Sequence, residues 1–382
     1  MSQLTRLSIR DFRNMARAEL HLPPDGVVVV GDNGQGKTNL LEAVSYLHVL
    51  RSIRGVPDAA LIRFDQPAFH IAADVITDHG HALSAAFERN TKRKKIRIDG
   101  ADVTRLSQAL GALPSVMVSP RDVDLITGAP TERRRFLDIT LALTSPAYLA
   151  ALQSYRAALA RRNAALRDIA RAAPSARAAE LAIIWEPQLA EHGAVLLAER
   201  ARWVGAHVAR FAALCDEIGE SMPAAMRYRS SVPLSASVRS TDDRSAARAE
   251  AAEALRGALA EKRALDMKRG ATHVGPHRDE LALTLGGHDL KQYGSAGQQR
   301  TIALALRLLE AEALQGHAGH APVLLLDDPF AELDARRADR ILALLHARGV
   351  GQTILTVPRA ADIPAEFTRL PRWRIAGGEV TA

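Results

Sequence analysis

The chain has 382 residues, 47% hydrophobic and 24% charged, with a formal net charge of +7. That length can build a large core and two domains or lobes, and the positive balance suits an acidic partner: nucleic acid foremost, with a solubilising surface as the plainer reading. The single cysteine, Cys215, excludes an internal disulfide and a cysteine-based metal cluster and fits a cytoplasmic location. No stretch approaches the roughly 20 apolar residues that span a bilayer, and Met1 to Arg6 reads as the start of structure without a signal-peptide core.

Val27 to Val30 form an unbroken apolar run that ends in Gly31-Asp32-Asn33-Gly34-Gln35-Gly36-Lys37-Thr38. The run reads as a central strand covered on both faces, and the octet fills every fixed position of the phosphate-loop pattern. Its glycines let successive N–H groups converge on one phosphate at a helix N-terminus. Lys37 would reach the β- and γ-phosphates, and the Thr38 hydroxyl would ligate Mg²⁺. Leu40, Leu41, Val44, Leu47 and Leu50 then recur at helical spacing, so one helix face packs back on the sheet. Strand, loop and helix together predict a nucleoside triphosphate site.

Lys92-Arg93-Lys94-Lys95, the densest basic run, lies between Ala85-Ala86-Phe87 and the alternating Ile96-Arg97-Ile98. A β-hairpin presenting positive charge to phosphates fits this pattern, as does a merely solvated hairpin tip. Arg133, Arg134 and Arg135 cannot share one helix face, so at least one should pair inside the protein. Tyr148, Leu152, Tyr155, Leu159 and Leu166 form a helical stripe, interrupted by Ala173-Pro174-Ser175. Leu181, Trp185, Leu189, Leu196, Trp203 and Phe211 follow, and the two stretches predict an antiparallel helical hairpin. Ser230 to Pro233 reads as a strand end or loop, and Asp242 to Glu261 as a solvent-facing helix. His273 and His277 have metal-ligand spacing, but Gly275-Pro276 breaks the helix that spacing needs, so structural hydrogen bonding, or contact with the adjoining signature helix, is expected.

Tyr293 to Arg300 contains Ser295-Ala296-Gly297-Gln298 ahead of an amphipathic helix, a second place where free N–H groups meet an anion. Pro322 to Pro329 is a buried strand ending in Asp327-Asp328. Asp327 would hold Mg²⁺ as a Walker B aspartate, and Asp328 would orient or deprotonate the attacking water. Phosphate loop, Ser-x-Gly-Gln helix and Walker B, in this order, form the arrangement of ATP-binding cassette (ABC) proteins. Resemblance to that class implies that Ser295, Gly297 and Gln298 meet the γ-phosphate held by a second copy, and that Ala331-Glu332-Leu333-Asp334 is a D-loop at the dimer seam. The insertion between Thr38 and Ser295 is too long for a transporter cassette and too short for a long-armed SMC or Rad50 coiled coil.

The chain resembles the RecF family of bacterial DNA replication and repair ATPases. The resemblance rests on Leu7 to Asn14, Gly34 to Ala43, Ser119-Pro120, Gly128 to Pro130, Arg133 to Asp138, Arg162-Asn163 and Thr272 to Asp279. It implies an α/β fold, an ABC-type head (lobe I, 1–118 with 315–382) and an inserted, mainly helical lobe II (119–314, with the signature). It further implies a slow, DNA-stimulated ATPase using ATP and Mg²⁺, an ATP-dependent homodimer on gapped DNA that helps load recombinase, and RecR and RecO as partners. Related SMC-type heads set an arginine near the phosphate-loop helix against DNA, which makes Arg54 a second DNA candidate beside Lys92 to Lys95. Asp328 stands where most cassette ATPases have glutamate, and one fewer methylene should slow hydrolysis. No switch histidine lies on Gln352 to Thr356; Thr356 is the nearest polar substitute and is left outside the catalytic set, and no Q-loop glutamine is assigned near Ser119-Pro120. A DNA-binding scaffold with vestigial hydrolysis and a non-DNA cassette ATPase remain as alternatives.

Overall fold

The computed structural model describes residues 2–171, 180, 182–240, 243–329, 335–347 and 351–382. The chain divides into two compact units: Met1–Val123 with Glu217–Gly219 and Ala296–Ala382, and Asp124–Asp216 with Glu220–Ser295.

The first unit holds two six-stranded sheets. Strands β1 (Gln3–Phe12), β2 (Met15–His21), β4 (Ala68–Ile76), β5 (Gly80–Glu88), β6 (Arg93–Ile98) and β7 (Ala101–Asp102) form an antiparallel sheet in the order β2-β1-β4-β5-β6-β7. Alternation is clean: Leu7, Ile9, Phe69, Ile71, Leu83, Ala85 and Ile96 are buried, and the residues between them face out. The second sheet combines β3 (Gly26–Val30) and β8 (Ser115–Val118) with four strands from the far end of the chain. These are β12 (Val323–Asp327), β13 (Thr353–Val357), β14 (Arg372–Ala376) and β15 (Glu379–Thr381), in the order β15-β14-β3-β13-β12-β8, parallel except for β15. Its central strands are buried along almost their whole length and mostly apolar, as a sheet covered on both faces requires. Helix α1 (Lys37–Val49) packs on β8, β12 and β13 and on β1. The buried Gln352 amide links the two sheets, accepting from Leu4 N at 2.7 Å and donating to Leu4 O and Pro23 O at 2.9 and 2.8 Å.

The second unit contains helices α2 (Pro130–Thr144), α3 (Pro146–Arg171), α4 (Glu186–Ile218) and α5 (Arg244–Arg269). It also has a small antiparallel sheet of β9 (Ala224–Arg229), β10 (Glu280–Leu285) and β11 (His288–Asp289). The predicted antiparallel hairpin is visible in three contacts. Arg200 donates to the Tyr148 hydroxyl, a Cβ on Gly193 would meet the Tyr155 ring, and Arg162 pairs with Glu186, so α4 runs backward along α3. The break at Ala173-Pro174-Ser175 and Leu181 lie outside the described residues. The solvent-facing reading of Asp242 to Glu261 needs correction: α5 buries Ala247, Ala251, Leu255 and Leu259, a four-residue stripe that alanine-rich composition concealed.

Both lobe boundaries differ from 118 and 314. Helix α6 (Ala296–Ala318) buries Ile302, Leu306 and Leu309, packs on β8, and has Arg307 paired with Asp122 at 2.8 Å. The signature helix therefore belongs to the first unit, with residues up to Val123, rather than to the helical one.

Candidate nucleotide site

Strand β3 lies between β14 and β13, and its C-terminal end delivers Gly31 to the edge of the parallel sheet. Gly36 ends the loop with φ 115°, a conformation that glycine adopts freely, and caps α1. A Cβ there would stand 2.9 Å from both amide atoms of Asn14, whose Nδ2 donates to Gln35 O at 3.1 Å. Gly377 N and Gly378 N donate to Gln35 Oε1 and O at 2.7 and 2.8 Å. The β1–β2 turn and the β14–β15 turn thus brace the loop before any ligand arrives.

Lys37 is buried and its ammonium donates to Gly31 O at 2.5 Å and Asp32 O at 3.0 Å, inside the cradle. Asp327 closes the other side. Its strand pairs in parallel with β13, so Thr356 stands beside it; the Thr356 hydroxyl donates to Oδ1 at 2.8 Å and the Thr38 hydroxyl to Oδ2 at 2.7 Å. A hydroxyl and a carboxylate in direct contact are hard oxygen donors, the set that Mg²⁺ takes alongside phosphate oxygens. The residues fit that ion. Asp328 adopts φ 45°, a left-handed conformation that aspartate tolerates better than most residues, and its N–H donates to Thr356 O at 3.0 Å. Burial first, and the Asp327 charge second, raise its carboxyl above the usual carboxylate range, against the pull of Lys37.

At the signature, Ser295 directly precedes α6. A Cβ on Gly297 would come within 2.9 Å of Arg337 Nη1, the tip of a side chain from helix α7 (Ala335–Ala347), so the guanidinium of α7 approaches the signature backbone closely. The D-loop expected at Ala331 to Asp334 lies outside the described residues. Where a Q-loop would fall, Ser119 N donates to Asp122 Oδ2 at 2.7 Å, and Asp122 in turn holds Arg307.

The basic candidates separate. Arg54 donates to Asn39 Oδ1 at 2.8 Å and pairs with Glu42 at 3.2 Å. Glu42 is fully buried and also holds Arg13 at 3.0 Å and the Ser52 hydroxyl at 2.7 Å, so Arg54 is fastened to the phosphate-loop helix instead of reaching out. The expected β5–β6 hairpin is present, but Arg93, Lys94 and Lys95 lie within β6 and alternate across it. Lys94 turns inward to Leu50 O and Asp58, both at 2.7 Å, and over the Tyr46 ring; Lys95 pairs with Asp102 at 3.1 Å. Lys92 and Arg93 stay exposed. Sequence reasoning treated the four as equivalent because register is invisible in a charge run.

In the second unit, Arg133 is the inward-paired arginine that was expected: it forms a two-pronged pair with Glu280 at 2.7 and 2.8 Å. His273 Nδ1 meets Asp266 at 2.8 Å. His277 Nε2 meets Thr272 O at 3.0 Å, which makes that nitrogen the donor and leaves Nδ1 to accept from the Tyr155 hydroxyl at 2.7 Å. Both histidines are structural, and no group of three or more metal-ligating side chains occurs among the described residues. Buried Arg200 joins two of the resemblance motifs, donating to Asp138 Oδ1 and Pro276 O, both at 2.7 Å.

Glu42 is the residue that reading the sequence missed at this site, although an acid inside an otherwise apolar helical run was a signal. Thr356, considered only as a polar substitute for a switch histidine and left outside the catalytic set, instead holds Asp327.

A phosphate loop, an aspartate held at the end of another parallel strand of the same sheet and a Ser-x-Gly-Gln helix define an ABC-type ATPase head. The model of the RecF/RecN/SMC N terminal domain family matches residues 3–363. The chain is 39% identical over 403 residues to the DNA replication and repair protein RecF of Chloroflexus aggregans, covering 98% of each chain. It is equally identical over 396 residues to that of Chloroflexus aurantiacus, again covering 98% of each. A solved structure of the recombination mediator protein RecF-ATP in the RecFOR pathway superposes with a TM-score of 0.87 at 29% identity, covering all of this chain and 97% of that one. This chain belongs to the RecF family.

Proposed function

We propose that the protein is a DNA replication and repair ATPase that binds ATP, dimerises on DNA and uses slow hydrolysis for release. The observation that carries the reading is the convergence of Lys37, Thr38, Asp327 and Asp328 at the end of one parallel sheet. The resemblance to a RecF structure with ATP in the RecFOR pathway supports the same nucleotide.

In this reading the amides of Gly31 to Gly36 wrap the phosphates, and Lys37 swings from Gly31 O and Asp32 O onto the β- and γ-oxygens. Thr38 and Asp327 would hold Mg²⁺, which when bound would supply charge neutralisation for the phosphates. Asp328 accepts a proton from water as that oxygen bonds to the γ-phosphorus and the bond to the β–γ bridging oxygen breaks; ADP and phosphate leave. Its short side chain keeps the step slow. Ser295, Gly297 and Gln298 meet the γ-phosphate bound by a second copy of this chain, so ATP serves as a dimerisation signal. Loading of recombinase at gaps, partnership with RecR and RecO, and a cytoplasmic location follow from the family. No helix among the described residues is long and apolar enough to cross a membrane.

Sedimentation with and without ATP and gapped DNA tests the proposal. The expected result is a monomer that becomes a DNA-bound dimer only with ATP; a monomer indifferent to both would refute it. Phosphate release by the wild type above that of Lys37→Arg and Asp328→Asn is expected, and its absence would leave only a scaffold.

A further inference from the structure

The antiparallel sheet turns one face to the core and the other to solvent, and its register builds a cationic row on the outer face. Arg17 stands directly opposite Arg10, Arg10 opposite His70, His70 opposite Ala86, and Ala86 opposite Lys95. The row crosses five strands, a span of about 19 Å at the usual strand spacing. Arg10, Arg17 and His70 are exposed.

Like charges directly opposite each other destabilise a sheet. Elsewhere on this face acids relieve them: Arg6 pairs with Glu19 at 2.5 Å and lies 3.5 Å from Asp74, and Arg97 pairs with Asp102 at 2.7 Å. Arg10 and Arg17 form no ion pair or side-chain hydrogen bond among the described residues, although they face one another and Arg10 also faces His70. By that rule the arrangement costs stability.

At the same end of the sheet lies the loop that carries Phe64, a side chain 92% exposed. Arg63 N donates to Asp11 O at 2.8 Å and Arg89 N to Pro67 O at 2.9 Å, which anchors this loop between β1 and the β5–β6 hairpin. A bare aromatic on a loop at the same end of the sheet as arginines without ion pairs matches the way proteins hold nucleic acid: cations on phosphates, a ring on an unpaired base.

We propose that this sheet face takes the sugar–phosphate backbone of duplex DNA, with Arg10 and Arg17 neutralising phosphates and Phe64 stacking on a base where the duplex gives way to single strand. The inference rests on the DNA-binding reading above and assigns it a surface. Lys94, which is turned inward, and Arg54, which is held by Glu42, lie outside it.

The test is fluorescence anisotropy with labelled duplex and labelled gapped duplex over a salt series, on the full chain with ATP. Arg10→Gln with Arg17→Gln should weaken binding to both DNAs about tenfold near 0.1 M salt and lower the slope of log affinity against log salt by about two, because two phosphate contacts are removed. Phe64→Ala should lose about fivefold or more on gapped DNA and leave duplex binding unchanged. All three substitutions sit on exposed side chains, and ATP binding serves as the folding control. Wild-type affinity and slope in the double variant would overturn the surface while leaving the function intact. Equal loss of both DNAs in Phe64→Ala would overturn the stacking role. A wild type that binds neither DNA would instead sink the functional reading itself.

Discussion

The Thr38 hydroxyl donates to Asp327 Oδ2 at 2.7 Å, joining the first turn of the phosphate-loop helix to a strand 289 residues later. Thr356 holds the other oxygen of the same carboxylate at 2.8 Å, so the rotamer of Asp327 is set before an ion binds. Outer partners of this kind orient a metal ligand, and their loss typically costs tenfold or more in affinity. Thr356→Val should therefore weaken Mg²⁺-dependent ATP binding by about tenfold while leaving the sheet intact. A Mg²⁺ titration of nucleotide binding checks this; an unchanged midpoint would show that Thr356 is only packing.

Asp328→Asn should abolish phosphate release and leave ATP affinity within about twofold, because in the proposed mechanism the carboxylate serves only to take the proton. In the wild type, burial and Asp327 raise the Asp328 carboxyl. A raised pKa means that the base is protonated, and the rate lost, at a higher pH than for an ordinary carboxylate. Single-turnover rates below pH 7 should show an acid limb displaced upward from the usual aspartate range near 3.9. A limb at the ordinary value would mean that another group limits the step.

Glu42 is fully buried against Arg13, Arg54 and Ser52. Removing one partner from a buried charge cluster leaves the others uncompensated, typically at a cost of about 3–5 kcal/mol. Glu42→Ala should lower unfolding stability by about 3 kcal/mol and release Arg54 from the loop helix. Urea denaturation measures the first effect; a loss within experimental error would mean that the two arginines find water instead.

Burial, the largest influence in each case, lowers His48 in the first unit and His277 in the second to about 4. Their unfolded value is near 6.5, so the unfolded chain binds more protons between these limits. The stability involved is fully present above about pH 6.5 and is lost as the pH falls toward 4. Linkage puts the loss at about 2 kcal/mol per histidine by pH 5. His48→Phe should flatten the decline between pH 7 and 5 by about that amount, measured by urea unfolding at both values. Parallel declines for the two proteins would remove His48 from the account.

Contiguous features were legible without coordinates. The octet Gly31 to Thr38, the apolar strand before Asp327 and the stripes of the helical insertion each signal themselves through near neighbours, because backbone periodicity and turn chemistry act over a few residues. Even the antiparallel α3–α4 hairpin followed from two stripes and a break.

What tertiary structure alone decided is which side each residue faces and what it meets there. Lys92 to Lys95 is one basic run in sequence, yet strand alternation sends Lys94 to Asp58 and leaves Arg93 in solvent. Helix α6 joined the first unit through Arg307 and Asp122, residues too far apart for any local pattern to connect. Arg10 and Arg17 face one another because β1 and β2 pair in one register, and a shift of a single residue would have turned either side chain to the core. Sequence determined the elements and the chemistry of the phosphate loop; register and long-range packing, which depend on hydrogen bonds between distant segments, determined the partners.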